Sequence, residues 1–308
     1  MYDLLSLFKN YDREWVIYEE YEIKTAKDGH EYVTAKTNQG AGLMDEYMDP
    51  ERMVLEALRV GMICLKEKQE EVIRRAVLRF ISIYGPLGFI TALPSTSHFL
   101  SDEKVYFPTN GFIKDRSMDT KKFINMFFPF EEPTSLIRES KYINMSDPFA
   151  EFMEFKRRKA SPERCLICQR QYAERYDWLV TQFKDWAFVM TTTEFYCDLQ
   201  DKMGMDERSL LEHGMMAYKG VTPEYHLELH GDLELHWDFN SLMQRIQLIY
   251  YMMMTHEKYR IRECLRCGRL FIAHKGDPGG LYCCSLCREV DEAAIQAHHK
   301  RPADFRYL

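Results

Sequence analysis

Five of the chain's nine cysteines fall within residues 264–290, CLRCGRLFIAHKGDPGGLYCCSLCREV, and no other stretch restricts the fold so strongly. Cys264 and Cys267 stand in a C-x-x-C pair followed directly by Gly268. That spacing makes a knuckle: a tight turn aims two thiolates at one point, and glycine lets the backbone curl beneath them. Zinc takes four soft ligands in a tetrahedron, and a second cysteine pair some sixteen residues on supplies the other two. Cys283 and Cys284 are adjacent; by spacing alone Cys284-x-x-Cys287 is the tidier pair, and Cys283 with Cys287 remains open. With all four positions filled by protein, one structural Zn2+ is expected.

Cysteine usage also indicates the compartment. An odd number of cysteines, mostly in one cluster, argues for thiolate chemistry in a reducing environment rather than a disulfide framework. The start of the chain has no basic, apolar and small-residue succession of the signal-peptide kind. The longest strongly apolar run, Leu248 to Met254, is far below the roughly 20 residues that span a bilayer. A cytoplasmic protein with no membrane partner is expected. At 46% hydrophobic and 29% charged residues, the chain can bury a large core.

Charge is divided unevenly. Residues 258–308 hold ten Lys/Arg against six Asp/Glu, a net of +4, which leaves −11 of the total −7 to residues 1–257. An acidic body with a basic end confines any polyanion contact to that end.

Local signals organise the rest. EWVIYEEYEIKTAKDGHEYVTAKT, residues 14–37, predicts a β-hairpin turning at Asp28-Gly29. Asp49-Pro50 opens a helix with an Asp cap, and a second helix runs from about Glu67 to Tyr84, ending at Gly85-Pro86. Residues 85–146 are broken by Pro, Ser and Asn and are expected to be an irregular connection. Asp147-Pro148 and Ser161-Pro162 repeat the cap signature, the second helix continuing to about Met190, and a shorter helix is expected over 206–218. EYHLELHGDLELHWDF alternates strictly. A three-residue His230-Gly231-Asp232 loop pairs Leu229 with Leu233, Leu227 with Leu235 and Tyr225 with Trp237, and keeps one face apolar; a two-residue loop scrambles the faces. Ser241-x-x-Gln244 then caps a helix that is apolar nearly all round and so buried.

The stretch LHWDFNSLMQRIQLIYYMMM leading into RECLRCGRLFIAHKGDPGGLYCCSLCR, with FISIYGPLGF, YFPTNGFIKD and FFPF upstream, resembles a group of uncharacterised bacterial proteins with a helical body and a C-terminal zinc module. The module is similar in plan to the CGNR zinc-finger proteins, which are taken to be stress-induced transcription regulators. YCCSLCR also resembles the aromatic-Cys-Ser-x-x-Cys-Arg end of treble-clef fingers. On that resemblance the ligands are Cys264, Cys267, Cys283 and Cys287, with Cys284 in the usual serine position and as the substitute for Cys283. One departure is plain: relatives follow the last cysteine with a basic helix, whereas here REVDEAAIQAHHKRP is acidic in its first turns.

Other constellations compete less well. Cys165-x-x-Cys168 continues through Tyr172, Tyr176, Leu179, Phe183, Ala187 and Met190 as one apolar stripe, so it is expected to be core. His226 opposite His236 is close enough for a shared metal, a hydrolytic site in outline, but lacks an ordered third ligand. KRRK at 156–159 is expected to be a solvated helix end. Phosphate loops, nucleophile elbows and His-Glu-x-x-His helices are absent, and a non-enzymatic role is favoured.

The expected fold is α+β and mainly helical: an N-terminal β-hairpin region (1–48), a helical body with a second hairpin at 224–238 (49–257), and a treble-clef or ribbon zinc module (258–308). The expected function is a zinc-binding regulatory protein contacting nucleic acid through Arg262, Arg266, Arg269, Lys275 and Arg288, joined by Lys300 and Arg301. Two alternatives stand beside it: a protein–protein interaction scaffold with a purely structural zinc, its partner on the acidic body, and a metal-dependent hydrolase on His226 and His236.

Overall fold

Asp28 and Gly29 reverse the chain as the dipeptide requires. Gly29 takes φ +82°, and the Asp28 carboxylate accepts from the His30 N–H at 2.9 Å and the Tyr32 hydroxyl at 2.7 Å. Strands β2 (Tyr21–Thr25) and β3 (Glu31–Ala35) therefore pair antiparallel, and β1 (Val16–Tyr18) pairs with β4 (Ala41–Leu43). The computed structural model describes residues 16–36, 41–43, 49–89, 104–106, 111–115, 117–130, 172–199, 202–216, 224–238, 241–256, 258–275 and 280–291.

Helix α1 (Pro50–Lys66) starts where its cap predicts: the Asp49 carboxylate accepts the N–H groups of Glu51 and Arg52. Its partner α2 (Glu70–Tyr84) begins three residues later than expected, because Glu67 ends α1. The Glu67 N–H bonds the Ile63 carbonyl and its carboxylate takes the N–H groups of Lys68 and Gln69. Gly85, at φ +86°, closes α2.

Two expectations are corrected. The 85–146 connection contains regular structure: β5 (Lys104–Tyr106) pairs with β6 (Ser117–Asp119), and α3 (Thr120–Phe127) follows with Asp119 as its N-cap. Asp119 with Phe123, Ile124 and Phe127 behind it was a legible cap and apolar stripe. Second, the helix that reaches Met190 does not pass through residue 172. Residues Ala173–Arg175 form β7, which adds to β3 with Ala173 opposite Thr34 and Arg175 opposite Tyr32, and α4 (Tyr176–Leu199) starts only then. The open edge of β3 offers hydrogen bonds that no local helix signal registers. The remaining stretch of that expectation, with Asp147-Pro148, KRRK, Ser161-Pro162, Cys165 and Cys168, lies outside the described residues.

The core is built on α1 against α4, with α2 and α6 (Leu242–Thr255) alongside. The crossing is close at one point. A Cβ built on Gly61 would lie 2.1 Å from the Phe183 carbonyl oxygen and 2.7 Å from the Ala187 Cβ. Tyr176, Leu179, Phe183, Ala187 and Met190 are all buried, as their spacing predicts. In α6 the Ser241 hydroxyl accepts the Gln244 N–H, and the Met243 N–H reaches the Leu87 carbonyl at 2.7 Å.

That contact ties α6 to the loop after α2, and a buried carboxylate ties the same loop to β7. Glu174, 1% exposed, accepts the N–H of Leu87 at 2.9 Å, the N–H of Gly88, and the Tyr172 hydroxyl at 2.8 Å. Burial pushes its carboxyl up to about 7, against the pull of these donors and the Phe89 N–H.

Helix α5 (Met205–Met216) precedes the second hairpin, β8 (Glu224–His230) and β9 (Asp232–Asp238). Its register is the expected one: Leu229 faces Leu233, Leu227 faces Leu235 and Tyr225 faces Trp237, with Gly231 at φ +92°. The result is a mixed α/β chain of helices and small antiparallel sheets. Among the described residues no helix is long and apolar enough to cross a membrane.

Candidate metal centre

The chain leaves α6 into β10 (Tyr259–Glu263), turns through the first cysteine pair, and returns as β11 (Leu270–His274), with Glu263 opposite Leu270. Two backbone bonds close the turn: the Cys264 N–H to the Arg269 carbonyl and the Gly268 N–H to the Cys264 carbonyl, both 2.9 Å. Gly268 sits at φ +68°, the left-handed conformation the knuckle requires. The second pair is brought alongside by a bond from the Leu265 N–H to the Leu281 carbonyl at 3.1 Å. Residues 285–291 are helical, so Cys287 falls in the first turn while Cys283 just precedes it.

Four sulfurs converge, those of Cys264, Cys267, Cys283 and Cys287, all within 4.8 Å of one another. Cys283 Sγ lies 3.5 Å from Cys267 Sγ and 3.7 Å from Cys287 Sγ. A tetrahedral thiolate site with metal–sulfur bonds of about 2.3 Å has sulfur–sulfur edges of about 3.8 Å, so a metal ion fits between them. Cys284 is exposed, its Sγ lies 3.9 Å from that of Cys283, and it is not one of the converging four. Of the two spacings open in the sequence, the geometry gathers the one containing Cys283.

The turn also prepares the charge. Burial works against a Cys264 thiolate, yet the N–H groups of Cys267, Cys283 and Arg266 hold its pKa down to about 6. Burial and the crowding thiols push Cys283 well above the thiol range and Cys287 up to about 12. Four thiols this close ionise together only around a cation.

The hairpin bearing the knuckle shares the main core rather than standing apart. Ile261 and Leu270 belong to it, and Lys66 of α1 holds Glu263 at 2.7 Å. This packing decides which predicted cations face solvent. Arg262 does not: its side chain is 7% exposed and its Nε stands 3.9 Å from the Glu194 carboxylate. Arg266, Arg269 and Arg288 are exposed, as is Lys275, whose Nζ donates to the His256 carbonyl at 2.6 Å. Lys300 and Arg301 lie outside the described residues. Asp291, in the acidic stretch after the last cysteine, accepts the Tyr282 hydroxyl at 2.7 Å and braces the cysteine segment.

A groove of about 570 Å³ runs between the first half of α1 and the knuckle, bringing Arg52 and Arg59 beside Arg269, with Asp49, Glu51 and Glu56 among its lining. Nothing in the local sequence linked Arg52 and Arg59 to a segment 200 residues away. The other candidate cluster, His226 and His236, is opposed in backbone register, while its side chains fall outside the described residues. No family model, curated protein or solved structure matches the chain, so the site rests on its own geometry.

Proposed function

We propose that the chain is a zinc-binding regulatory protein whose C-terminal module contacts nucleic acid. The observation that carries the zinc reading is the four-cysteine cluster, with sulfur separations of 3.5 and 3.7 Å. An all-thiolate donor set selects soft ions, and zinc is the abundant one that takes it tetrahedrally without redox chemistry. A knuckle in a hairpin followed by a helix that supplies the last ligand has the plan of a treble clef. The resemblance to zinc-module bacterial proteins and to CGNR fingers points the same way.

The nucleic-acid reading draws on Arg266, Arg269 and Arg288 exposed around the cluster, with Arg52 and Arg59 across the groove. Four phosphate contacts, from Arg266, Arg269, Lys275 and Arg288, give a log–log salt slope of about −3.5 on duplex DNA. Fluorescence anisotropy with labelled DNA and RNA between low and physiological salt tests it. The double variant Arg266→Ala/Arg269→Ala should flatten the slope by about two units. Absence of salt-dependent binding to either nucleic acid at low ionic strength removes the physical basis of this reading.

In that case the interaction scaffold with a structural zinc takes its place. Arg262 buried against Glu194 and the leucines exposed on the second hairpin favour it.

A further inference from the structure

Among the described residues the strands of the β8–β9 ribbon pair only with each other. Leu227, Leu229, Leu233 and Leu235 occupy alternate positions on one face and are 61, 76, 67 and 41% exposed. An isolated two-stranded ribbon is marginal in water until its apolar face is covered. Together the four leucines expose roughly 450 Å², as much as the largest apolar patch that a soluble monomer ordinarily shows.

We propose that this face is covered by the same face of a second copy. The pattern is symmetric about Gly231: Leu229 with Leu233, Leu227 with Leu235, His226 with His236, Glu228 with Glu234. Two such faces related by a twofold axis set leucine against leucine whichever way the ribbons run, so the face is complementary to its own copy. Two ribbons packed about 10 Å apart form a four-stranded sandwich, the usual way for twisted sheets to bury one face each. The charged positions constrain the arrangement further. Residues 224–238 carry five Asp/Glu and no Lys/Arg, all at the alternate positions opposite the leucines. Facing leucines inward keeps both acidic faces in solvent and on opposite sides of the sandwich. The contact buries roughly 900 Å² in all, below the standard for permanent dimers, so a weak and reversible dimer is expected. Its salt response is opposite to that of phosphate binding: screening the two acidic ribbons strengthens it.

Sedimentation velocity of the full chain up to about 100 µM, at low and high salt, reads the equilibrium directly. A reversible dimer is expected, tighter at high salt, with Leu229→Glu/Leu233→Glu weakening it at least tenfold and leaving zinc content and melting temperature in place. Because the leucines are exposed, those variants should fold. Hydrogen exchange of the wild-type chain gives a check independent of them: ribbon amides should slow as concentration rises. A wild-type monomer at about 100 µM, a dimer indifferent to both leucine changes, or ribbon amides unaffected by concentration would overturn the proposal. A monomer that binds a different protein through this face would also overturn it.

Discussion

Gly61→Ala sets two effects of opposite sign against each other. In an exposed helix the change favours folding by about 1 kcal/mol, because glycine gives up more backbone freedom than alanine. Here the new Cβ would sit 2.1 Å from the Phe183 carbonyl oxygen, 2.9 Å from its carbonyl carbon and 2.7 Å from the Ala187 Cβ. Two of the three are backbone atoms of α4, so no rotamer change relieves them. Restoring ordinary contact requires α1 and α4 to separate by roughly 1 Å, and a gap of that size forfeits a quarter to a half of each dispersion contact it opens. The crossing packs Ala57, Leu58, Phe183, Trp186 and Ala187, each 2% exposed or less. Overpacking of this kind costs about 1–3 kcal/mol and more where backbone must move. With the upper end of that cost and the propensity gain set against it, the expected net loss is about 2 kcal/mol, a fall in melting temperature of about 3 °C for a chain of this size. Thermal melts followed by circular dichroism, with urea midpoints beside them, measure it. A melting temperature equal to or above wild type, the outcome that helix propensity alone demands, would refute the close crossing.

Cys283→Ser should lose the bound metal while Cys284→Ser keeps one equivalent, as measured by elemental analysis after purification without chelators; the reverse pattern means the converging set is the wrong one. Glu174 gives a pH signature. Its carboxyl is raised by burial to about 7 in the fold, so the folded state holds a proton that the unfolded state releases near pH 4.5. Stability should therefore fall as pH rises from about 4.5 through 7, by up to about 3 kcal/mol relative to Glu174→Gln, whose amide does not titrate. Parallel curves for the two proteins across that window would contradict it. Asp49→Ala removes the α1 cap and should cost about 1 kcal/mol in urea midpoint without loss of metal. No change in midpoint would show that the cap contributes nothing.

Much of the chain was legible from residues a few positions apart. Asp28-Gly29, Asp49-Pro50, Gly85 and Ser241 each specify a turn or helix end through bonds made within five residues, and each of those turns and ends stands where its signal put it. The register about Gly231 followed from alternation alone, since a slip of one residue would have mixed leucines with acids on both faces. The cysteine spacing narrowed the metal ligands to two sets.

Tertiary structure decided what depends on a distant partner. Residues 173–175 are a strand because β3, far back in the chain, offers an open edge on which Thr34 faces Ala173, and Glu174 is buried because the loop at Leu87 and Gly88 brings N–H donors to it. Arg262 carries the same charge as Arg266 and Arg269, but β10 turns it toward Glu194 and away from solvent. The convergence of Cys283, rather than Cys284, with Cys264, Cys267 and Cys287 likewise depends on how the two segments are folded together, which spacing does not specify. Short-range signals determine which hydrogen bonds a segment makes with itself. They carry no information about which surface it meets, and that is what separates a buried cation from an exposed one.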